Sequence, residues 1–380
     1  MNEDKATRYH RLRRRAATLA VSWRVLLLAG LLLSGLSRTI RDASEALTAP
    51  APVWLQLPLA ACAWVLAAAL VHEAGALPLT FYGGFTLDHR YGLLRQSAAE
   101  WWKDHVRASG VGLALAMVAA MWVYGALALW PARWWIAAWG GAIAASVATA
   151  WAAPVLLLPL FYRVVPLENE ALRRRLLALA DKARVPALGI FEWRLSDRTS
   201  RTNAALTGIG RTRRIIVSDT LVADSPPDEI EVVLAHELAH HVHHDIWRGL
   251  AVDGLVIGAG LWFADALLRL AVVPLGLRGL SDIAGMPVIV LSAMAVSGLA
   301  LPAVNAVSRA HERRADRFAL DTTRNPEAFI SAMRRLAARN LAEEAPSRAA
   351  RIFFYTHPPI SDRLALARAW AAEEGSGTQD

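Results

Sequence analysis

The sequence predicts a mainly α-helical protein, a multi-pass transmembrane helical bundle carrying a small α+β domain, and three observations predict it. Hydrophobic residues make up 55% of the 380-residue chain and charged residues 19%, a balance rare in soluble proteins. Six apolar runs are long enough to cross a bilayer. The long polar interval between the fourth and fifth runs combines a helical pattern with short β-rich runs.

In chain order, the expected spans are Leu19 to Leu36, Val53 to Ala76, Gly110 to Trp130, Trp134 to Leu158, Gly249 to Val273 and Ile283 to Val307. The stretch from Phe81 to Leu94 is amphipathic and lies outside these six. Fifteen tryptophans are available for interfacial belts. Residues 1–162 then form an N-terminal transmembrane region, 163–248 a polar domain, 249–307 a pair of transmembrane helices and 308–380 a polar C-terminal segment. Within the polar domain, Leu167 to Ala183 has helical periodicity, and Gly189 to Leu195 and Arg214 to Val217 read as strands. The residues from Glu373 to Asp380 are expected to be disordered.

Charge sets the orientation. Of 41 Lys and Arg residues, 35 fall before Ala16, in the second loop, between Arg163 and Arg248 or after Val307. The positive-inside rule puts these segments, with both termini, in the cytoplasm. This accounts for the net charge of +8 without nucleic acid, for which stacking aromatics among the basic residues are missing. The basic start followed by Val25 to Leu36 has the shape of a signal peptide, but no small-residue cleavage site is clear around Ser34 to Ser37. A retained anchor fits the charge pattern. The single cysteine, Cys62, lies in an expected span and can form no intramolecular disulfide.

His236-Glu237-Leu238-Ala239-His240 carries the chemistry. Two histidines four apart on a helix share a face and can grip one metal ion, and Glu237, about 100° round the axis, can reach a water at that metal. Asp224 to Glu229 supplies a capping side chain, prolines suited to a first turn and acids suited to the positive end of the dipole, so a helix is expected from about Pro226 to Trp247. A catalytic zinc takes three protein ligands. Glu312 and Asp316, four apart in a second probable helix, are the best source of the third, one ligating and the other hydrogen-bonding a ligand histidine. His241, His243 and His244 read as a polar helix face, and His311 points away from Glu312. His72, Glu73, Asp253 and Asp265 lie in or near spans and are expected to face a cavity.

His236 to His240, followed by Ser308-Arg309, Glu312 and Ala315-Asp316, resembles the M48 zinc metallopeptidases, specifically the membrane-embedded Ste24 type or type I CAAX prenyl endopeptidases. Similar segments are Leu77-Pro78 through Tyr82 and Phe85 to Tyr91-Gly92-Leu93 and Lys103-Asp104, Ala153-Pro154 to Pro166-Leu167, Thr202-Asn203-Ala204, Arg214 to Leu221, and His357-Pro358-Pro359-Ile360-Ser361-Asp362-Arg363. The resemblance spans about residues 60 to 370.

It implies a zincin-like metalloprotease domain closed by the C-terminal helices, an intramembrane chamber and about seven spans, the seventh falling at the amphipathic stretch from Phe81 to Leu94. One zinc would be held by His236, His240 and Glu312, with Glu237 as general base and Asp316 orienting a ligand histidine. His357 would act at the developing oxyanion or orient substrate together with Arg363, and Asn203 would hold substrate backbone. The substrate is expected to be a peptide or protein, membrane-associated or lipidated. The chain departs from Ste24 relatives at Ala239 and His241, where they typically read Gly and Trp, and its Ala and Arg bias suggests a bacterial inner-membrane protein. That favours membrane quality-control proteolysis of the HtpX kind as an alternative to prenyl-protein processing. A site-2-type protease would need a contiguous Asn-Pro-Asp-Gly-like ligand motif, which is absent, and a non-catalytic metal-binding scaffold would not need Glu237.

Overall fold

The computed structural model describes residues 4–185 and 189–377. Its helices are α1 (Lys5–Leu33), α2 (Leu36–Thr48), α3 (Val53–Phe81), α4 (Ala98–Leu129), α5 (Trp134–Ala152), α6 (Glu170–Lys182), α7 (Asp219–Asp224), α8 (Pro227–Val242), α9 (Asp245–Ala271), α10 (Met286–Thr323), α11 (Pro326–Asn340), α12 (Arg348–Phe354) and α13 (Ile360–Gly377). The strands are β1 (Val164–Pro166), β2 (Ile190–Trp193), β3 (Ala204–Thr207) and β4 (Arg214–Ser218).

Among the described residues, six helical segments are apolar and long enough to cross a membrane: Lys5–Leu33, Val53–Arg90, Ala98–Leu129, Trp134–Phe161, Asp245–Ala271 and Ile283–Thr323. Each overlaps one expected span. Their outward faces expose Leu70, Leu115, Leu255 and Leu299 at 58–83%, as lipid-facing surfaces do. The inward faces bury Trp64, Tyr124, Leu127, Trp134, Ala264 and Leu268 in one apolar core.

Two expectations need correction, and one helix is added. The stretch from Phe81 is no seventh span: α3 runs on through a π turn, Tyr82–Thr86, to Arg90. Its last residues carry Asp88, which accepts from the Tyr9 hydroxyl (2.6 Å) and tie the end of α3 to α1. The loop after α1 contains an unforeseen amphipathic helix, α2, whose Arg41 pairs with the buried Asp282 at 2.6 Å. Finally, α13 continues to Gly377, so residues 373–377 are helical, while 378–380 lie outside the described residues.

Helix α10 positions the site. Its 38 residues reach about 57 Å, nearly twice a hydrocarbon core of about 30 Å, so its C-terminal half leaves the membrane and packs on α8. Beside this pair lies a four-stranded sheet of order β1-β2-β4-β3, with β2 parallel to β4 and the other pairs antiparallel. A second core joins Leu176, Ile215, Val217, Ile230, Leu234, Leu320, Phe329 and Trp370 from sheet and helices. β3 is an edge strand, and its free edge faces α8.

Candidate metal centre and catalytic cleft

Helix α8 begins at Pro227 in its first turn, with Asp228 and Glu229 following as the dipole favours. No side chain caps it, and it ends at Val242 rather than near Trp247. The chain breaks at His244, which adopts a left-handed φ of 56°, and α9 starts at Asp245. This break has a chemical consequence. It folds Asp245 back so that its carboxylate lies 3.0 Å from His240 Nδ1.

His236, on the same face, is held likewise, its Nδ1 2.9 Å from Asp316 Oδ1. With Nδ1 of each ring facing a carboxylate, both Nε2 atoms are left to point at Glu312, at 3.2 and 3.4 Å. Ligand atoms of His236, His240 and Glu312 all lie within 4.8 Å of one another. Glu312 Oε2 is buried and has no hydrogen-bond partner among the described residues. Two imidazole nitrogens and an orphaned carboxylate oxygen converging from two helices fit a tetrahedral zinc ion with a fourth position free. The electrostatics agree. Burial disfavours a charged His236, but the Asp316 and Glu312 carboxylates outweigh it and push its pKa up to about 9, so the site attracts positive charge.

Glu237 stands beside the triad in a cavity of about 360 Å³ that is also lined by Asn203, Ala204, His357 and Arg363. Burial raises its pKa above the ordinary carboxylate range, against the pull of His236 and His240 and of a hydrogen bond from the Leu206 N–H. His357 Nε2 lies 3.4 Å from Glu312 Oε1. Arg363 donates from Nε to Asp316 Oδ2 at 2.9 Å and from Nη2 to Asp316 Oδ1, which holds its guanidinium at the cavity wall.

Residues 166–371 match the model of peptidase family M48, and residues 2–163 match that of the CAAX prenyl protease N-terminal region with five membrane helices. The chain belongs to peptidase family M48. An uncharacterized metalloprotease, YhfN, of Bacillus subtilis is 31% identical over 338 residues, covering 88% of this chain and 78% of that protein. A CAAX prenyl protease 1 homolog of Oryza sativa is 28% identical over 303 residues, 76% of this chain and 68% of the relative. In fold, this M48 peptidase is similar to Ste24p of S. mikatae, with a TM-score of 0.82 at 21% identity over 96% of this chain and 87% of that one. It is a Ste24-like, multi-pass membrane zinc metalloendopeptidase acting on peptide or protein substrates.

The M48 cleft brings together every residue expected there: His236, Glu237, His240, Glu312, Asp316, His357, Arg363 and Asn203. His241 and His243 stay outside it. His311 is partnered with Asp245 at 3.6 Å, and Glu73 with His105 at 2.6 Å. Asp265 accepts from Trp134 Nε1. Sequence reasoning missed Asp245. Its signal was an acid just beyond the polar His243-His244 pair, where a continuous helix was expected instead. Asp245→Asn is expected to weaken zinc binding about 10–100-fold, read by competition against a chromogenic chelator, with the fold intact.

Proposed function

We propose that this enzyme cleaves extended segments of membrane-associated proteins, with one zinc per chain held by His236, His240 and Glu312. A metal there supplies Lewis acidity to a water and to the peptide carbonyl. Glu237 takes the proton from the attacking water and delivers it to the departing amine, the two halves of general acid–base catalysis. Its raised pKa suits both halves. His357, at the mouth of the cavity, donates to the oxyanion that develops at the carbonyl, and Arg363 fixes Asp316 and the cavity wall. The division into residues 1–162, 163–248, 249–307 and 308–380 assigns the catalytic groups to the second and fourth segments. Their Lys and Arg content supports a cytoplasmic active site in a bacterial inner membrane.

The observation that carries the reading is the open edge of β3 beside the metal triad. Asn203 turns its backbone to β4, bonding Ser218 from both N–H and C=O, so Thr202, Ala204 and Leu206 face outward. Thr202 is already occupied: Asn340 accepts from its N–H and donates to its C=O, both at 3.2 Å. The Leu206 N–H is given to Glu237. Ala204 therefore offers the outward backbone groups to a substrate strand, with Asn203 beside it at the cavity wall.

Pairing of an antiparallel substrate stops on its C-terminal side at Asn340. Asn340→Ala is expected to raise kcat/KM roughly 30-fold for peptides lengthened on that side, since it frees two backbone hydrogen bonds of about 1 kcal/mol each. Peptides too short to reach Thr202 should be cut as before, and an equal loss at all lengths would count against the assignment. The substrate class is tested by offering one peptide with and without a farnesyl group and following products by mass spectrometry. Cleavage of the lipidated form alone supports prenyl-type specificity. Equal cutting makes the enzyme a general membrane peptidase of the quality-control kind, and cutting that persists in a Glu237→Gln control overturns the proposed chemistry.

A further inference from the structure

A groove of about 550 Å³ lies between the start of α1 and α12, away from the catalytic cleft. One wall is basic, with Arg11, Arg14 and Arg15, and no acidic residue lines the groove among those described. Arg15 is exposed. The other part is apolar: Leu19 is 56% exposed, Phe353 45% and Phe354 49%. Leu19 begins the apolar run of α1, the helix Lys5–Leu33 that is long and apolar enough to cross a membrane, so the groove lies at the polar end of that run.

The aromatic wall is held from behind. Asn305 Nδ2 donates to the Ile352 carbonyl at 3.0 Å, and Arg309 donates to the carbonyls of Arg351 and Tyr355 at 2.9 and 2.7 Å. Thus α12 is fastened to α10 through its backbone while its two phenylalanines stay exposed beside the arginines. Aromatic rings next to a basic cluster at a span's cytoplasmic end match the two parts of a phospholipid, an anionic headgroup and an acyl chain.

We propose that this groove binds one anionic phospholipid, its phosphate at Arg15 on the basic wall and its acyl chain along Leu19, Phe353 and Phe354. The site communicates with the cleft. Arg14, in the groove wall, donates to Glu343 at 2.6 Å and to the Tyr355 hydroxyl at 3.2 Å, and both acceptors line the catalytic cavity, Tyr355 two residues before His357. A lipid that clamps α1 to α12 steadies the turn that presents His357, so anionic lipid raises peptidase activity.

Native mass spectrometry of the full-length protein in detergent, titrated with dioleoyl phosphatidylglycerol or dioleoyl phosphatidylcholine, tests this. The expected result is preferential retention of one phosphatidylglycerol, weakened about tenfold or more in Arg11→Ala/Arg15→Ala. Phe353→Ala/Phe354→Ala should also lose retention, which covers the case that the arginine variant fails to fold. Arg173→Ala/Arg174→Ala, with the same loss of charge on α6, should retain lipid as the parent does. Peptide cleavage in vesicles should rise with phosphatidylglycerol content in the parent and stay flat in Arg11→Ala/Arg15→Ala. Equal retention of the two lipids, or equal weakening in the α6 control, overturns the site.

Discussion

Glu237→Gln is expected to lower kcat for peptide cleavage by about 10²–10⁴-fold while the protein keeps its zinc. The substitution preserves shape and can still accept from the Leu206 N–H, so the cavity and the strand edge stay in place. The ligand set does not include Glu237, and the carboxylates behind His236 and His240 belong to Asp316 and Asp245. Only the proton acceptor is lost. The fall corresponds to about 3–5 kcal/mol of transition-state stabilisation. Metal content by mass spectrometry and turnover of one peptide decide the matter together. Zinc lost along with activity would show that Glu237 supports the ligands, and activity retained would move the base elsewhere. Chelation should silence the parent enzyme, and added zinc should revive the parent but not the variant.

What could be read in the sequence was local. The spans are continuous apolar runs, and the pairing of His236 with His240 follows from a four-residue spacing on one helix. Glu312 and Asp316 follow from the same spacing on α10, and which of them faces the ring nitrogens is a matter of geometry that spacing does not carry: Glu312 faces both Nε2 atoms and Asp316 faces His236 Nδ1. What could not be read depends on chain reversal or on contacts between distant segments. Helical periodicity runs unbroken through Val242 toward Trp247, so the left-handed turn at His244 that delivers Asp245 leaves no periodic trace. Asn340 and Thr202 are 138 residues apart, and neither type suggests the other. The amphipathic stretch from Phe81 to Leu94, the place for a seventh span, instead holds the end of α3, which a π turn carries through Gly83 and Gly84 to Arg90.

Asp316→Asn should be the most disruptive single change outside the metal ligands, because one carboxylate serves both a buried guanidinium and a ligand imidazole. Asp316 is fully buried, accepts two hydrogen bonds from Arg363 and faces His236 Nδ1. Arg363 is itself 10% exposed in its side chain. Asparagine keeps the volume and removes the charge, leaving a guanidinium buried without its counter-ion, at a cost of about 3–5 kcal/mol. Separately, His236 keeps only a neutral amide oxygen in place of the carboxylate that fixes its tautomer, and zinc affinity should fall about 10–100-fold. The two losses can be told apart. Adding Arg363→Met to Asp316→Asn removes the unpaired charge, so the thermal unfolding midpoint in detergent should recover most of its fall, while the metal affinity should stay low because His236 is still unsupported. An unchanged midpoint in Asp316→Asn would mean that water reaches Arg363, and recovery of metal affinity in the double variant would mean that Arg363, rather than the missing carboxylate, had been repelling the ion. The buried pair would then be the device that places a cation behind His236 without letting it compete with the metal, which explains why a carboxylate stands between them.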